Sequence, residues 1–297
     1  MQADSVEIPS APEGAPVRER GFWGRMSRDG RFRVGVVMVA IPALIAVFGA
    51  FVAPFDPLAY ADAPFSGRGE ITLFGTDNLG RDVFSRFLAG GLSLLVLSAL
   101  STVFGVVLGG LLGAMLAATR GVVDEVTMRI ADVALAFPPI VLALMFLSLL
   151  GPQPWLIILV VALGHLPRTL RVIRGAAMSV VERDFIKYGE TLGFGRFRMV
   201  TREILPNVMA PLMVEFGIRF TYSVGLVASL SFLGLGVQPP TPDWGNMINE
   251  NRLGVTIQPW GVVLPLIALA LLAIGCNLIS DAVARAVGFV EARRKDG

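Results

Sequence analysis

Two opposite charges stand inside an otherwise apolar stretch of this chain, Glu215 and Arg219. Four residues apart, they share one face of a helix. A charge within a membrane-spanning helix is costly and faces a cavity or a partner. The pair therefore either satisfies itself near one end of its span or lines a path, where a zwitterionic cargo would meet both signs. Other groups able to do chemistry are few. His165 is the one histidine and Cys276 the one cysteine. A lone histidine builds no metal cage, and His165 reads as an interfacial residue satisfied by water. A lone cysteine allows no disulfide within the chain. There is no Gly-x-x-x-x-Gly-Lys-[Ser/Thr] phosphate loop, no His-Glu-x-x-His and no Gly-x-Ser-x-Gly elbow. No catalytic, cofactor or metal residues are expected in this chain. No basic-aromatic surface points to nucleic acid.

The second chemical signal is a charged segment between two apolar runs, Glu182 to Asn207. Phe185, Tyr188 and Leu192 fall at i, i+3 and i+7, which puts an apolar stripe on a short helix. Gly193 and Gly195 end that helix. Phe197, Met199 and Ile204 begin a second apolar pattern that passes through Leu205 and Pro206 into the next run. Such a helix, held off the membrane, can act as a docking peg, because its stripe needs somewhere to bury. A solvated loop with an interfacial helix has the same pattern.

The elements that carry these residues follow from hydropathy. Of 297 residues, 54% are hydrophobic and 16% charged, against about a quarter charged in soluble domains. A spanning helix needs about 20 apolar residues. Uncharged runs cover 34–53, 87–118, 133–150, 155–166 (continuing past Pro167 as a kinked helix), 220–237 (extended back to about Val208) and 261–280. Six spans leave too little polar surface for a soluble core of that size. The first run reads as a retained anchor, since no small-residue cleavage pattern follows it.

Basic residues set the orientation. One side holds Arg18, Arg20, Arg25, Arg28, Arg31 and Arg33; Arg120 and Arg129; Arg168, Arg171, Arg174, Arg183, Lys187, Arg196, Arg198 and Arg202; and Arg285, Arg293, Arg294 and Lys295. The other holds Arg68, Arg81, Arg86 and Arg252. Both termini are thus expected in the cytoplasm. The expected organisation is an N-terminal segment over 1–33, a first anchor over 34–53 and an outer loop over 54–86. A core over 87–283 with five spans and a cytoplasmic loop at 168–207 follows, then a tail over 284–297. Gly105, Gly109, Gly113 and Ala117 place small residues on one face of the second span, for packing within the chain or at a subunit interface. Pro42 can kink the first span, and Pro138 and Pro139 suit the start of the third. Trp155, Trp244 and Trp260 fall near the outer interface, and Trp23 on the inner side.

The charged segment resembles the coupling loop of ABC-importer permeases. Gly193 and Ile204-Leu205-Pro206-Asn207 match the pattern, while Tyr188-Gly189 replaces its usual paired alanines. Gly75-Thr76-Asp77-Asn78-Leu79-Gly80-Arg81-Asp82 is similar to a motif of the dipeptide, oligopeptide and nickel branch. So are Arg129, Asp132 and Phe137-Pro138, and Leu230-Ser231-Phe232-Leu233-Gly234-Leu235-Gly236 with Pro239-Pro240-Thr241-Pro242 and Trp244-Gly245. Val227 stands where the family often has glutamate. The resemblance covers about Ile71 to Phe289, in the family's order, and is greatest to the second, C-type permease of dipeptide transporters.

What the resemblance implies is an all-helical type I importer permease in a bacterial inner membrane, paired with a homologous permease. Two separate ATPase subunits would bind ATP and magnesium. A periplasmic or lipid-anchored binding protein would deliver di- or oligopeptides, nickel chelates, glutathione or opine-like cargo. The lever would be Phe185 to Arg196, including Tyr188, Gly189, Glu190, Leu192 and Gly193. The outer docking surface would involve Gly75–Asp82 and Pro239–Asn251, Pro240, Trp244 and Gly245 among them. An ion-coupled secondary transporter would place acids or histidines deep in several spans, and only Glu215 offers that. An intramembrane enzyme lacks a catalytic constellation.

Overall fold

The computed structural model describes residues 29–69 and 71–295. The expectations on Arg18, Arg20, Arg25, Arg28 and Trp23 lie outside the described residues, as do the side chains of Arg293, Arg294 and Lys295. The described chain is helical, with two isolated β-bridges in the first loop, Tyr60 to Arg81 and Thr76 to Asp82.

The first helix, α1 (Gly30–Val52), starts at Asp29, whose carboxylate accepts the Arg31 amide. Pro42 lies buried within it. The run expected from residue 87 is two helices, a short α2 (Val83–Ala89) and a long α3 (Leu92–Thr119). The break falls at Gly90 and Gly91, where a side chain would collide with Trp244. The third run is likewise divided. A polar-faced α4 (Val122–Ala136) meets α5 (Pro139–Leu150) at an angle of 81°. Pro138 caps the second piece in extended conformation and Pro139 occupies its first turn, since neither proline can continue the ladder from α4. Next comes α6 (Pro154–Val181), which carries Arg168, Arg171 and Arg174 within the helix and not in the loop expected for them.

Two short helices, α7 (Asp184–Thr191) and α8 (Arg196–Met199), lead into a π-helical turn at Val200–Ile204 and a three-residue α9 (Leu205–Asn207). The fourth long helix, α10 (Met209–Phe232), follows, then α11 (Trp244–Asn251) and α12 (Trp260–Lys295). Among the described residues, five helices are long and apolar enough to cross a membrane, and the bent α4–α5 pair makes up to six.

The small-residue stripe of α3 packs within the chain. A Cβ at Gly105, Gly109 or Gly113 would meet α6 backbone carbonyls of Ala162, Leu166 and Leu170 at 2.9, 2.8 and 2.6 Å. These glycines thus let α3 and α6 approach as close as backbones can, which gives dispersion contact where no water is expelled. Gly35 on α1 and Gly275 on α12 do the same, each facing the other's carbonyl at 2.8 Å. Arg285 ties the two helices again, donating to Asp29 at 3.1 Å. Two apolar clusters result. One lies toward the α11 end (Leu94, Leu147, Ile157, Leu230, Trp244) and one toward the α7 end (Ala114, Ile173, Ile186, Val200, Ile204).

Candidate functional site

Glu215 and Arg219 face α6 from α10. The Arg219 Nε donates to a Glu215 oxygen at 3.0 Å, and the Thr169 hydroxyl lies 3.5 Å from the same oxygen. Glu215 is only 5% exposed, and that guanidinium is its ion-pair partner. The Arg219 guanidinium also sits over the Tyr222 ring, 5.5 Å from its centroid. One turn further along α10, the His165 Nε2 and Ser223 Oγ are 2.8 Å apart, and Ser223 is 2.8 Å from the Thr102 hydroxyl. His165 is therefore buried and held by serine, a correction to the water-satisfied interfacial histidine expected from sequence. Three spans (α3, α6 and α10) are joined by this polar chain.

The two members of the ion pair line different cavities. Arg219, with His165 and Arg168, lines one of about 880 Å³. Glu215, with Arg183 and Asn207, lines another of about 470 Å³. Arg171 and Arg174 on the same helix as Arg168 pair with Asp132 and Asp124, Arg174 in a bidentate contact at 2.5 Å.

At the inner core cluster, α7 stands as a peg. Phe185, Tyr188 and Leu192 are exposed, with Tyr188 at 67%, while Ile186 and Gly189 are buried against the bundle. The expected stripe thus exists and points away from the chain's own core. The peg ends in a backbone motif that requires Gly193. Its φ is +75°, the Gly193 amide donates to the Glu190 carbonyl at 2.9 Å, and the Phe194 amide donates to the Gly189 carbonyl at 3.1 Å. This is the paired closure of a helix by a left-handed residue. Gly189 has a separate reason. A Cβ there would lie 3.2 Å from the Met199 sulfur and 3.3 Å from Phe194, so the missing alanine matches a tight turn. Glu190 and Arg196 are exposed, Pro206 is exposed and Leu205 half-buried.

At the other end, the Gly75–Asp82 motif folds onto α11. Gly75 and Gly80 take φ of +76°. Asp77 binds the Arg81 Nε at 2.8 Å and the Arg86 Nε at 3.1 Å, and Glu250 binds the second nitrogens of both at 3.2 and 2.8 Å. Asp82 caps α2 through the Ser85 amide at 2.8 Å. Arg86, counted as a loop charge from sequence, is 1% exposed. Trp244, expected near the outer interface, does not present its ring to the surroundings: it is fully buried, its indole donates to the Phe87 carbonyl at 2.8 Å, and it stacks on Phe87. Gly245 lies against Ala228 and Ser231, where a Cβ would meet backbone. Pro240 is exposed. Asp243 caps α11 through the Gly245 and Asn246 amides, and burial pushes its carboxyl above the usual range against those hydrogen bonds.

Two motifs far apart in sequence, around Asp77 and around Glu250, thus form one cap, with Glu215 and Arg219 mid-bundle and the peg beyond. Sequence reasoning missed Arg168, Glu250 and the Ser223 chain. An arginine directly after Pro167 in an apolar run was the available signal for the first.

Residues 105–289 match the family described as "Binding-protein-dependent transport system inner membrane component". Over 262 residues the chain is 35% identical to the "Glutathione transport system permease protein GsiD" of Escherichia coli O1:K1 / APEC, covering 88% of this chain and 86% of that protein. The proteins of that name from Shigella boydii serotype 4 (strain Sb227) and Shigella dysenteriae serotype 1 (strain Sd197) match over the same extent. The chain belongs to this family, the multi-pass permease subunits of ABC transporters in the dipeptide and oligopeptide branch.

Proposed function

We propose that the chain forms half of the path of an ATP-driven importer in a bacterial inner membrane, taking up di- or oligopeptides. A homologous permease supplies the other half. Two ATPase subunits lie beneath, binding ATP and magnesium, and a periplasmic or lipid-anchored binding protein delivers cargo above. Both termini and α7 face the cytoplasm, as the arginine distribution favours.

The observation that carries the reading is the peg. An eight-residue helix leaves Phe185, Tyr188 and Leu192 in the open while its other face is buried on α6 and the π-helical turn. Exposed apolar residues on a rigid mount suit a groove on a partner. ATP-driven closure of the ATPases would push on α7, and the push would pass through Met199 and Ile204 to α10. There Glu215 and Arg219 line the path between the two cavities. The cap formed by Gly75, Asp77, Gly80, Arg81 and Asp82 with Pro240, Trp244 and Gly245 receives the binding protein.

Mild-detergent purification from the native membrane tests the assembly. Recovery of a second permease and two P-loop ATPases is expected. Recovery of the chain alone, active under an ion gradient without ATP, overturns the proposal. The peg has its own test: Phe185→Ala with Tyr188→Ala is expected to leave the permease pair intact and lose the ATPases.

A further inference from the structure

The 880 Å³ cavity has a wall whose charge does not balance. Among the described residues its polar lining includes His165, Arg168, Arg219, Tyr222, Ser229 and Asn277, and no acidic residue. Arg219 is neutralised by Glu215 from the far side. Arg168 is not neutralised. Its guanidinium donates to the Gly164 carbonyl at 2.7 Å, and among the described residues it makes no ion pair. This differs from the other arginines of α6, since Arg171 and Arg174 both hold carboxylates. An uncompensated guanidinium in a span is costly and is retained where a cavity or partner needs it. A carbonyl uses one of its five donors, and the planar fork that remains fits a carboxylate.

We infer that this cavity selects cargo with an excess carboxylate, Arg168 binding the carboxylate while Tyr222, Ser229 and Asn277 supply neutral hydrogen bonds. The inference rests on the importer reading and adds the charge class of its substrate. The cavity's volume suits a molecule of a few hundred daltons. A peptide with one ammonium and two carboxylates leaves one negative charge for Arg168 to meet. A cargo of net positive charge would face an arginine in a site of low dielectric, where like charges repel strongly.

The test uses the whole transporter in vesicles, with glutathione and its glycine monoethyl ester as probes. They differ by one carboxylate. The same binding protein delivers both, so its own preference cancels when each variant's acid-to-ester uptake ratio is divided by that of wild type. Arg168→Gln is expected to lower the ratio about tenfold, the loss of one charged hydrogen bond, and Arg168→Lys to lower it less. An unchanged ratio in Arg168→Gln overturns the inference. So does wild-type transporter that takes up neither probe or prefers the ester. Failure of Arg168→Gln to assemble with the second permease also overturns it, because Arg168 would then serve a subunit contact. Co-purification of the ATPases is scored separately, so the importer reading can stand where this inference falls.

Discussion

Glu215 and Arg219 make one another possible. Both are nearly enclosed, and each is the other's ion-pair partner across one helical turn. Removing one member of such a pair leaves an uncompensated charge and costs about 3–5 kcal/mol, whereas removing both costs much less. Glu215→Ala is therefore expected to lower the thermal midpoint of the purified complex more than the Glu215→Ala, Arg219→Ala double variant does. A double variant that melts lower than the single refutes the pairing argument. If the pair lines the path, Glu215→Ala and Arg219→Ala each reduce uptake even where assembly is normal. Asp243 sets a pH dependence at the cap. Its carboxyl is raised above 3.8 by burial, so the folded chain holds that proton more tightly than the unfolded one. Its contribution to stability is thus largest below pH 3.8 and falls as pH rises from there through the raised value. Asp243→Asn keeps an acceptor for the Gly245 and Asn246 amides and removes the titration. The unfolding midpoint read by tryptophan fluorescence should then flatten over that rise. An unaltered slope counts against Asp243 as its source. The existence and spacing of Glu215 and Arg219 were legible in the sequence because i,i+4 geometry is local. The surroundings of His165 were not, because Ser223 lies on another helix and no period connects them.

The α3–α6 pair shows how far a local pattern reaches. Glycines four apart announce a face for close packing, and the structure uses that face on α6. Whether the partner helix lies within the chain or beyond it is not written in a repeat of four. Gly113→Val would push a side chain into the Leu170 carbonyl, 2.6 Å from a Cβ, and is expected to cost about 1–3 kcal/mol by overpacking. Gly175→Ala on α6 meets nothing within 4 Å and is expected to be neutral or to gain up to about 1 kcal/mol. Folded yield in detergent, by size-exclusion profile, separates the two. Hydropathy ran α2 and α3 together because Gly90 and Gly91 are apolar too, and the steric demand for them comes from Trp244. The peg was legible in both its stripe and its stop. Gly193→Pro cannot take a φ of +75°, since proline fixes φ near −65°. It is expected to unhinge α7 and abolish cargo-stimulated ATP hydrolysis in the assembled complex. Retained stimulation would remove α7 from the lever role.

Among the described residues, polar chemistry gathers at three levels, the cap, the mid-bundle chain and the peg, with further ion pairs tying α6 to α4 and α12 to the start of α1. Glu250 spans the cap by holding Arg81 and Arg86 together. Glu250→Ala leaves two buried arginines sharing Asp77. It is expected to expose the loop before α2, seen as faster tryptic cleavage after Arg81. Unchanged cleavage would mean that the loop is held without Glu250. The three-level plan follows from six apolar runs with charged ends, which is why the sequence discloses the architecture but not which charges are enclosed. Arg86 and Arg168 looked like loop residues because composition records how many charges a segment has and not how deep they lie. Their depth has an electrical consequence. Glu215 and Arg219 move together as a neutral pair, and Arg171 and Arg174 carry their counter-ions with them. Among the described residues that leaves Arg168 on α6, with Asp281 on α12, as span charges for a membrane voltage to grip. Moving one charge fully across 100 mV is worth about 2.3 kcal/mol, so shifting it by a tenth of the thickness is worth about 0.2 kcal/mol. Voltage is a weak handle on this bundle, and on the importer reading a change of access is delivered mechanically, through the backbone that joins α7 to α10.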